Sequence, residues 1–430
     1  MFLKMLNTFG TKFITALCNL ALAVVISRYI GAVGKGEQSM IVITLGLIQI
    51  VAGLVGGPTL VYLLPRLGFS KTIWPSYIWA FIVSCLFGVL LLFVPMVSRY
   101  YLIHVILLSF PGIVTSIHFQ LLIGREKVIE ANVAGLLQPV MSLLTLGLFG
   151  LLGAKLSLSH YLISLYIAYF MSIILSVYML RNDFKNLFKF EGLWDLSLWK
   201  QLLGLGFVNQ LAVIMQLLNS RFTFYLLNFI TGSAMVGVYS NGISIAESIW
   251  LISGSIAMVQ YARISNSEDI LESASWTLKL FRLNIVLMLA SITVLCLIPA
   301  SFFPFVFGSE FANVKEVILW ISPGIFMLGI TTIFVHFFSG IGMYHVNTFA
   351  SGVSLVGSLF FGFMLIPELG IKGAAITNSI SYTLYFIVEV WFFRKTCKTR
   401  FKDYIPDISE VKVTLAEVKN MLISGKSNAK

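Results

Sequence analysis

The chain has 430 residues, of which 58% are hydrophobic and 11% are charged, and its mean hydropathy is +0.93. A soluble domain of this size would carry about a quarter charged residues, so this composition excludes a soluble enzyme or a soluble binding module. The formal net charge is +11, but no soluble basic domain carries it, which excludes nucleic acid as a partner.

Apolar runs long enough to cross about 30 Å of hydrocarbon as a helix recur along the chain. They predict an all-α membrane protein with twelve transmembrane helices at 8–29, 39–64, 73–96, 101–123, 130–152, 160–180, 203–229, 234–261, 279–300, 315–339, 347–367 and 372–393. The first run follows Lys4 and lacks a small-x-small cleavage site, so it is predicted to be retained as a helix. Basic residues concentrate in alternate loops and in the tail, which predicts that both termini are cytoplasmic.

Two polar segments divide the chain. Residues 182–202 carry Trp194 and Trp199 among charged residues, which is typical of a short helix in the membrane interface. In the basic tail, 407–424 has apolar residues at helical spacing, which predicts a helix resting on lipid headgroups or, alternatively, one that binds a partner. The predicted organisation is a six-helix bundle at 1–181, a cytoplasmic linker at 182–202, a second bundle at 203–394 and an amphipathic tail at 395–430.

The chain also repeats itself weakly. An HFxxxIG pattern occurs at 118–124 and again at 336–342, and Gly31 and Gly36 after span one correspond to Gly232 and Gly237 after span seven. Each match pairs span n with span n + 6. Since six is an even number, the halves are predicted to share one orientation, related by a pseudo-two-fold axis along the membrane normal, as in transporters that work by alternating access.

Two charges lie inside predicted spans, Arg221 in span seven and Glu247 in span eight. A lipid-facing charge at such depth costs about 3 kcal/mol or more, so both side chains must face protein or water. Counting from the middle of each span places them at similar depth. They could form an ion pair that pins one helix hairpin, or they could line a water-filled cavity that holds an anionic substrate or senses a coupling ion.

Four further arginines lie near span ends. Arg28 could reach the headgroups or point into a lumen, whereas inner-end arginines commonly set topology. Glu389, one turn from the predicted end of the last span, is expected to reach water or Arg394. The candidates for a substrate-binding cavity are Arg28, Arg66, Arg125, Arg221, Glu247 and Arg263.

Motifs for chemistry are missing from the sequence, which has no GxxxxGK[ST] phosphate loop, no HExxH and no paired metal ligands. Transport driven by the chain's own ATP hydrolysis is therefore excluded. Carboxylates are sparse and scattered, so enzymatic activity is not expected. No cofactor or metal is predicted, and the coupling ion, H⁺ or Na⁺, is left open.

Four segments together resemble the Wzx-type oligosaccharide flippases of the multidrug/oligosaccharidyl-lipid/polysaccharide (MOP) superfamily, over nearly the whole length. They are SRYIGAVGKGE after span one, NSRFTFYLLNFITGSAMVGVYSNGISIAESIWLI across spans seven and eight, PFVFGSEF before span ten and LIPELGIKGAAITNSIS between spans eleven and twelve. Thr223 departs from the pattern, because many members have an acidic residue there.

The resemblance implies a MATE-like fold of two six-helix bundles in the bacterial inner membrane. It also implies a substrate, an oligosaccharide on undecaprenyl pyrophosphate, carried to the periplasmic face for O-antigen or capsule. Membrane lipids, a glycan polymerase and a chain-length regulator would be its partners. Arginines in a lumen would offset the cost of moving a pyrophosphate out of water. The alternatives are a cation-coupled multidrug exporter and a lipid-linked peptidoglycan precursor flippase of the same superfamily.

Overall fold

The computed structural model describes residues 2–94, 96–184, 195–264 and 269–406. Within these ranges every regular element is helical. The helices are α1 (Phe2–Gly56), α2 (Pro58–Leu67), α3 (Phe69–Phe93), α4 (Arg99–Gly124), α5 (Val128–Leu151), α6 (Leu158–Met179), α7 (Arg181–Phe184), α8 (Leu196–Thr231), α9 (Ser233–Glu247), α10 (Trp250–Ile264), α11 (Ile270–Leu297), α12 (Phe302–Phe307), α13 (Val314–Gly340) and α14 (Tyr344–Cys397), with 3₁₀ turns at Ser309–Phe311 and Phe401–Tyr404. The predicted tail helix at 407–424 lies outside the described residues.

Two helical runs are too long to be single spans. Gly10–Leu67 has 58 residues and Tyr344–Cys397 has 54, and at 1.5 Å per residue each would measure about 80 Å or more. A glycine with positive φ interrupts each run, Gly31 at φ 84°, ψ −180° and Gly370 at φ 54°, ψ −123°. Glycine adopts such angles because it has no Cβ. Each run therefore contains two spans, as predicted.

Two further spans are bent instead of continuous. Leu196–Phe207 and Gln210–Thr231 meet at 46°, and Ser233–Glu247 and Trp250–Tyr261 meet at 40°. With each bent pair taken as one span, the described residues hold ten apolar helical runs. The breaks at Gly31 and Gly370 divide two of these runs, which gives twelve spans. The all-α fold and the predicted number of spans are confirmed.

The same turn geometry occurs twice along the chain. Gly232 has φ 83° and ψ 173°, close to the angles of Gly31. The turn after α4 passes through Arg125 (φ −88°, ψ 8°) and then Glu126 at φ 61°, while the turn after α13 passes through Ile341 (φ −90°, ψ 6°) and then Gly342 at φ 79°. Equivalent turn residues are thus 216 positions apart, whereas the HFxxxIG pattern repeats at 218. The two histidines of that pattern are therefore displaced from equivalence by two residues.

The chain forms two compact units that divide between residues 214 and 215, inside α8. The predicted boundary segment 182–202 includes residues 185–194, which lie outside the described part, so that boundary stays a prediction. In the first unit α4 packs against α2, α3 and α6, and α5 packs against α6.

In the second unit α13 is the central helix, packed against α9, α10, α11 and α14. Its core is a cluster of phenylalanine rings in which the centroid of Phe393 lies 4.9 Å from those of both Phe334 and Phe337. All three side chains are fully buried. This ring cluster fixes the part of α14 that follows Gly370 against α13.

Candidate functional site

The structure brings together the two charges that the sequence places inside spans. Arg221 is on α8 and Glu247 is the last residue of α9, and the Arg221 Nη2 atom lies 3.3 Å from Glu247 Oε2. The side chains are 27% and 19% exposed. A charge-assisted N–H···O contact is usually about 2.7–2.9 Å long. The pair is therefore a loose, half-buried contact, which another acceptor could replace at Arg221.

Glu247 lies at a break in its span. The backbone N–H groups of Ile249, Leu251 and Ile252 donate to carbonyls three residues earlier, at 3.1–3.3 Å. This is 3₁₀ pairing, and a stretch of it inside a helix often marks a hinge. Interrupted helices also supply the binding sites of many membrane transporters. The break between α9 and α10 thus places the carboxylate at a bend that the sequence pattern did not predict.

Buried polar and aromatic side chains surround the pair. Tyr239 and Tyr382 are almost fully buried, and each interacts electrostatically with both charges. Asn378 Nδ2 donates to the Tyr239 hydroxyl at 3.0 Å, and the Thr223 hydroxyl lies 3.5 Å from the same oxygen. The residue that departs from the Wzx-type pattern, Thr223, is therefore part of this polar cluster.

Aromatic side chains, Trp250 and Phe224, also contact this polar cluster. The Trp250 ring centroid lies 5.9 Å from that of Tyr382, and its Nε1–H donates to the Ile325 carbonyl at 3.1 Å. The Arg221 guanidinium lies 5.5 Å from the centre of the Phe224 ring. These contacts orient the side chains at the bend, where one cation, one carboxylate and two phenol groups could hold an anionic or hydroxyl-rich ligand.

Three of the other predicted site arginines have described partners near helix ends. Arg125 pairs with Asp183, and Arg263 Nη2 lies 3.0 Å from Glu272 Oε1. Arg66 lies 3.7 Å over the ring of Tyr62, one turn earlier on α2. Arg28 is exposed on α1. Of the six candidates, Arg221 and Glu247 are in contact with each other, and a binding role for the other four stays a prediction.

One buried lysine lies between the first two predicted spans, 8–29 and 39–64, where the sequence predicts a loop. Lys35 is 6% exposed, because the helix resumes directly after the break at Gly31. Its Nζ donates to Gln38 Oε1 at 2.7 Å, and Gln38 Nε2 donates to the Tyr161 hydroxyl at 3.2 Å. The sequence signal for this burial is the polar segment KGEQS at 35–39. It begins about one turn after Gly31, the glycine at which the helix resumes.

The expectation for Glu389 is wrong. The side chain is fully buried, and neither carboxylate oxygen has a hydrogen-bond partner. The Arg394 guanidinium lies 3.8 Å over the Phe401 ring instead. The physical reason is that α14 continues to Cys397, so Glu389 lies more than two turns from the helix end, where packed side chains bury it.

Solved structures share this fold. The structure titled lipid II flippase MurJ, inward closed conformation, superposes with a TM-score of 0.73 at 14% identity, covering 100% of this chain and 93% of that one. An inward-facing MATE family multidrug resistance transporter of the MOP superfamily gives 0.71 at 15% identity, covering 89% and 94%. The chain therefore has the MATE-like fold that the sequence predicts.

Sequence relatives are more distant. No protein-family model matches the chain. An uncharacterized membrane protein of Methanocaldococcus jannaschii is 22% identical over 310 residues, 71% of this chain and 60% of that protein. The capsular polysaccharide biosynthesis protein CapF of Staphylococcus aureus is 27% identical over 188 residues, 41% and 46% of the two chains. The match thus spans about half the length of these curated relatives.

Proposed function

We propose that the chain is a flippase that moves undecaprenyl-pyrophosphate-linked oligosaccharide units across the bacterial inner membrane by alternating access. Both termini would lie in the cytoplasm, and the glycan would serve O-antigen, capsule or exopolysaccharide. The observation that carries the proposal is Arg221, held loosely by Glu247 at a helix bend inside a MATE-like fold. A glycan polymerase and a chain-length regulator would act next on the product.

Arginine suits a diphosphate because its planar fork binds phosphate oxygens in pairs. Among the described residues, the hydrogen bond from Nη2 to Glu247 is the one contact of this kind that the Arg221 guanidinium makes, and its side chain is 27% exposed. The remaining N–H groups are therefore left for a ligand. A pyrophosphate would replace the single Glu247 contact with several charge-assisted hydrogen bonds.

The bend between α9 and α10 supports the transport cycle. Its i to i−3 hydrogen bonds can rearrange with little cost, since a helix needs only small φ/ψ changes to pass between 3₁₀ and α pairing. Substrate binding at Arg221 would release Glu247, which lies at the bend. The released carboxylate gives the cycle a coupling group, with H⁺ or Na⁺ as the ion.

The relatives and the neighbours bear on the choice of substrate. CapF is named for capsular polysaccharide biosynthesis, and the MurJ structure is titled a lipid II flippase. The name of CapF favours a lipid-linked anion over a cationic drug. The solved structures do not separate these two substrates, because both a lipid II flippase and a multidrug resistance transporter share the fold. Arg221 also favours the anion, because a cation at the ligand site repels a cationic drug. The multidrug exporter and the peptidoglycan precursor flippase remain the competing functions.

The decisive experiment is deletion of the gene in its host, followed by analysis of surface glycan and of lipid-linked intermediates. We expect surface polymer to disappear while single repeat units accumulate on their cytoplasmic lipid carrier. Normal polymer together with altered sensitivity to cationic drugs would replace the proposal with the exporter. Arrest of cell-wall growth with normal surface glycan would replace it with the peptidoglycan precursor flippase.

A further inference from the structure

One face of the second half of α14 is a continuous polar stripe. Asn378, Tyr382, Tyr385 and Glu389 follow one another at spacings of four, three and four residues, which places them on one side of a helix. Their exposed fractions are 0%, 1%, 5% and 0%. Burial of four polar side chains in line inside a membrane span is costly, and such side chains commonly pair with one another or serve a function.

The stripe begins at the Arg221–Glu247 pair. Asn378 donates to Tyr239, and Tyr382 interacts electrostatically with both Arg221 and Glu247. From Tyr382 the stripe runs for seven residues to Glu389, about 10 Å along the helix axis. A rotation or tilt of α14 therefore moves Glu389 and the contacts of the ion pair together.

Glu389 lies at the other end of the polar stripe, next to the phenylalanine ring cluster in sequence. Both its oxygens are buried without a hydrogen-bond partner, and Phe393, one turn later, belongs to the ring cluster. Tyr385, one turn earlier, is the titratable group that interacts with it. Several other titratable groups on packed elements contact different partners: His336 of α13 the Thr332 carbonyl, Arg282 of α11 the Leu278 carbonyl and Tyr404 of the 3₁₀ turn the Thr399 hydroxyl. The Arg394 guanidinium of α14 lies over the Phe401 ring, and its Nε atom is buried without a hydrogen-bond partner.

An ionised carboxylate is not stable in such surroundings. Burial of a charge without a partner or a hydrogen-bond donor is so unfavourable that the group becomes neutral instead. Glu389 can become ionised only when water or a base reaches it, because both its oxygens are buried without a hydrogen-bond partner. The chemistry that suits such a carboxyl group is exchange of a proton.

We propose that Glu389 is a proton-binding site, linked through the stripe on α14 to the Arg221–Glu247 pair. In the conformation described here the site holds a neutral carboxylic acid. When α14 moves and water reaches Glu389, the O–H bond breaks, the proton passes to water as hydronium and the carboxylate remains. The carboxylate cannot return to the packed site until it takes up a proton again, so protonation and the position of Tyr382 at the ion pair are coupled.

The first test detects the proton directly. Infrared difference spectra of the full-length protein in lipid vesicles should show the carbonyl stretch of a neutral carboxylic acid at neutral pH, and Glu389→Gln should abolish it. Glu368→Gln is the matched control, because Glu368 is an exposed carboxylate on the same helix. A band that persists in Glu389→Gln, or that is absent from the wild type, overturns the proposal. If Glu389→Gln does not fold, Glu389→Asp must keep the band at a shifted frequency.

The second test measures the linkage, which rests on the proposed function. Binding of undecaprenyl pyrophosphate to the vesicle-reconstituted protein should change about tenfold between mildly acidic and mildly alkaline pH, a typical coupling between two sites. Glu389→Gln should remove most of that dependence, and an unchanged dependence refutes the coupling. If the wild type binds no undecaprenyl pyrophosphate, the proposed function fails, while the infrared band still decides the proton site.

Discussion

Removal of the Arg221 guanidinium is the perturbation that best separates the two roles of the ion pair. In Arg221→Ala the Glu247 carboxylate, 19% exposed, loses its cation while staying at the bend between α9 and α10. We expect a lower free energy of unfolding together with a loss of glycan export. The companion variants are Glu247→Gln and the double variant, which complete a double-mutant cycle.

The magnitude follows from the geometry. Two unit charges 3.3 Å apart attract by roughly 5 kcal/mol at an effective dielectric constant of about 20. Desolvation and side-chain ordering offset most of this attraction. Polar pairs in membrane proteins contribute about 0.6 kcal/mol on average and up to about 1.7 kcal/mol. Because this pair is charged and half-buried, we expect a coupling energy of about 1–1.7 kcal/mol.

The assay is equilibrium unfolding of the four proteins in detergent micelles, alongside complementation of export in the deletion strain. A coupling energy below about 0.5 kcal/mol, within the usual error of such cycles, would refute the pairing. Arg221→Lys then tests the ligand role, since lysine keeps the charge but loses the planar fork. Near-normal stability with strongly reduced export supports diphosphate binding, and normal export with Arg221→Lys argues against bidentate binding.

Three further predictions concern stability. Gly31→Ala should lower the free energy of unfolding by about 1–3 kcal/mol, because φ 84°, ψ −180° is almost restricted to glycine. The control is Gly46→Ala on the same helix, where an added Cβ meets no atom within 4 Å, so this change should be neutral or stabilising. Equal effects of the two substitutions on thermal unfolding would contradict the argument. Phe393→Ala should cost about 3–5 kcal/mol in detergent unfolding, since it empties the centre of the ring cluster, and a cost below about 1 kcal/mol would be inconsistent with that packing. Asp195 directly precedes α8, and hydrogen bonds from the Ser197 hydroxyl and from backbone N–H groups of the first turn lower its pKa below the ordinary 3.8. A lowered folded-state pKa contributes stability that is present above the unfolded-state pKa and is lost as pH falls through the folded one, so an NMR titration midpoint at or above 3.8 would exclude this cap.

Much of the fold could be predicted because lipid imposes simple local rules. Hydropathy located the spans, because a segment of about twenty apolar residues is long enough to cross the hydrocarbon core as a helix with its backbone hydrogen bonds satisfied. The sequence also predicts that Arg221 and Glu247 lie at similar depth, because each is near the middle of one of two neighbouring antiparallel spans. Direct pairing of the two side chains was therefore one of the two predicted arrangements. The structure selects that contact, while the ligand role of the pair stays a proposal.

The errors have a common origin in where helices begin and end. Lys35 looked like a loop residue because the sequence shows GAVGKG, yet the helix resumes right after Gly31 and buries it. Glu389 looked as if it were one turn from water because hydropathy ends near residue 393, yet α14 continues to Cys397. Helix ends depend on capping and packing more than on hydropathy, and sequence patterns locate them least well.

The sequence by itself determined that the chain is a helical membrane protein with twelve spans, and which charges must avoid lipid, because these follow from the transfer cost of each residue alone. Only the tertiary structure decided that Arg221 meets Glu247 at a bend, that Arg125 and Arg263 pair elsewhere, and that the Glu389 carboxylate oxygens are buried without a hydrogen-bond partner. Partnership depends on which helix faces are packed together, and that is a property of the packed three-dimensional structure and not of any single segment.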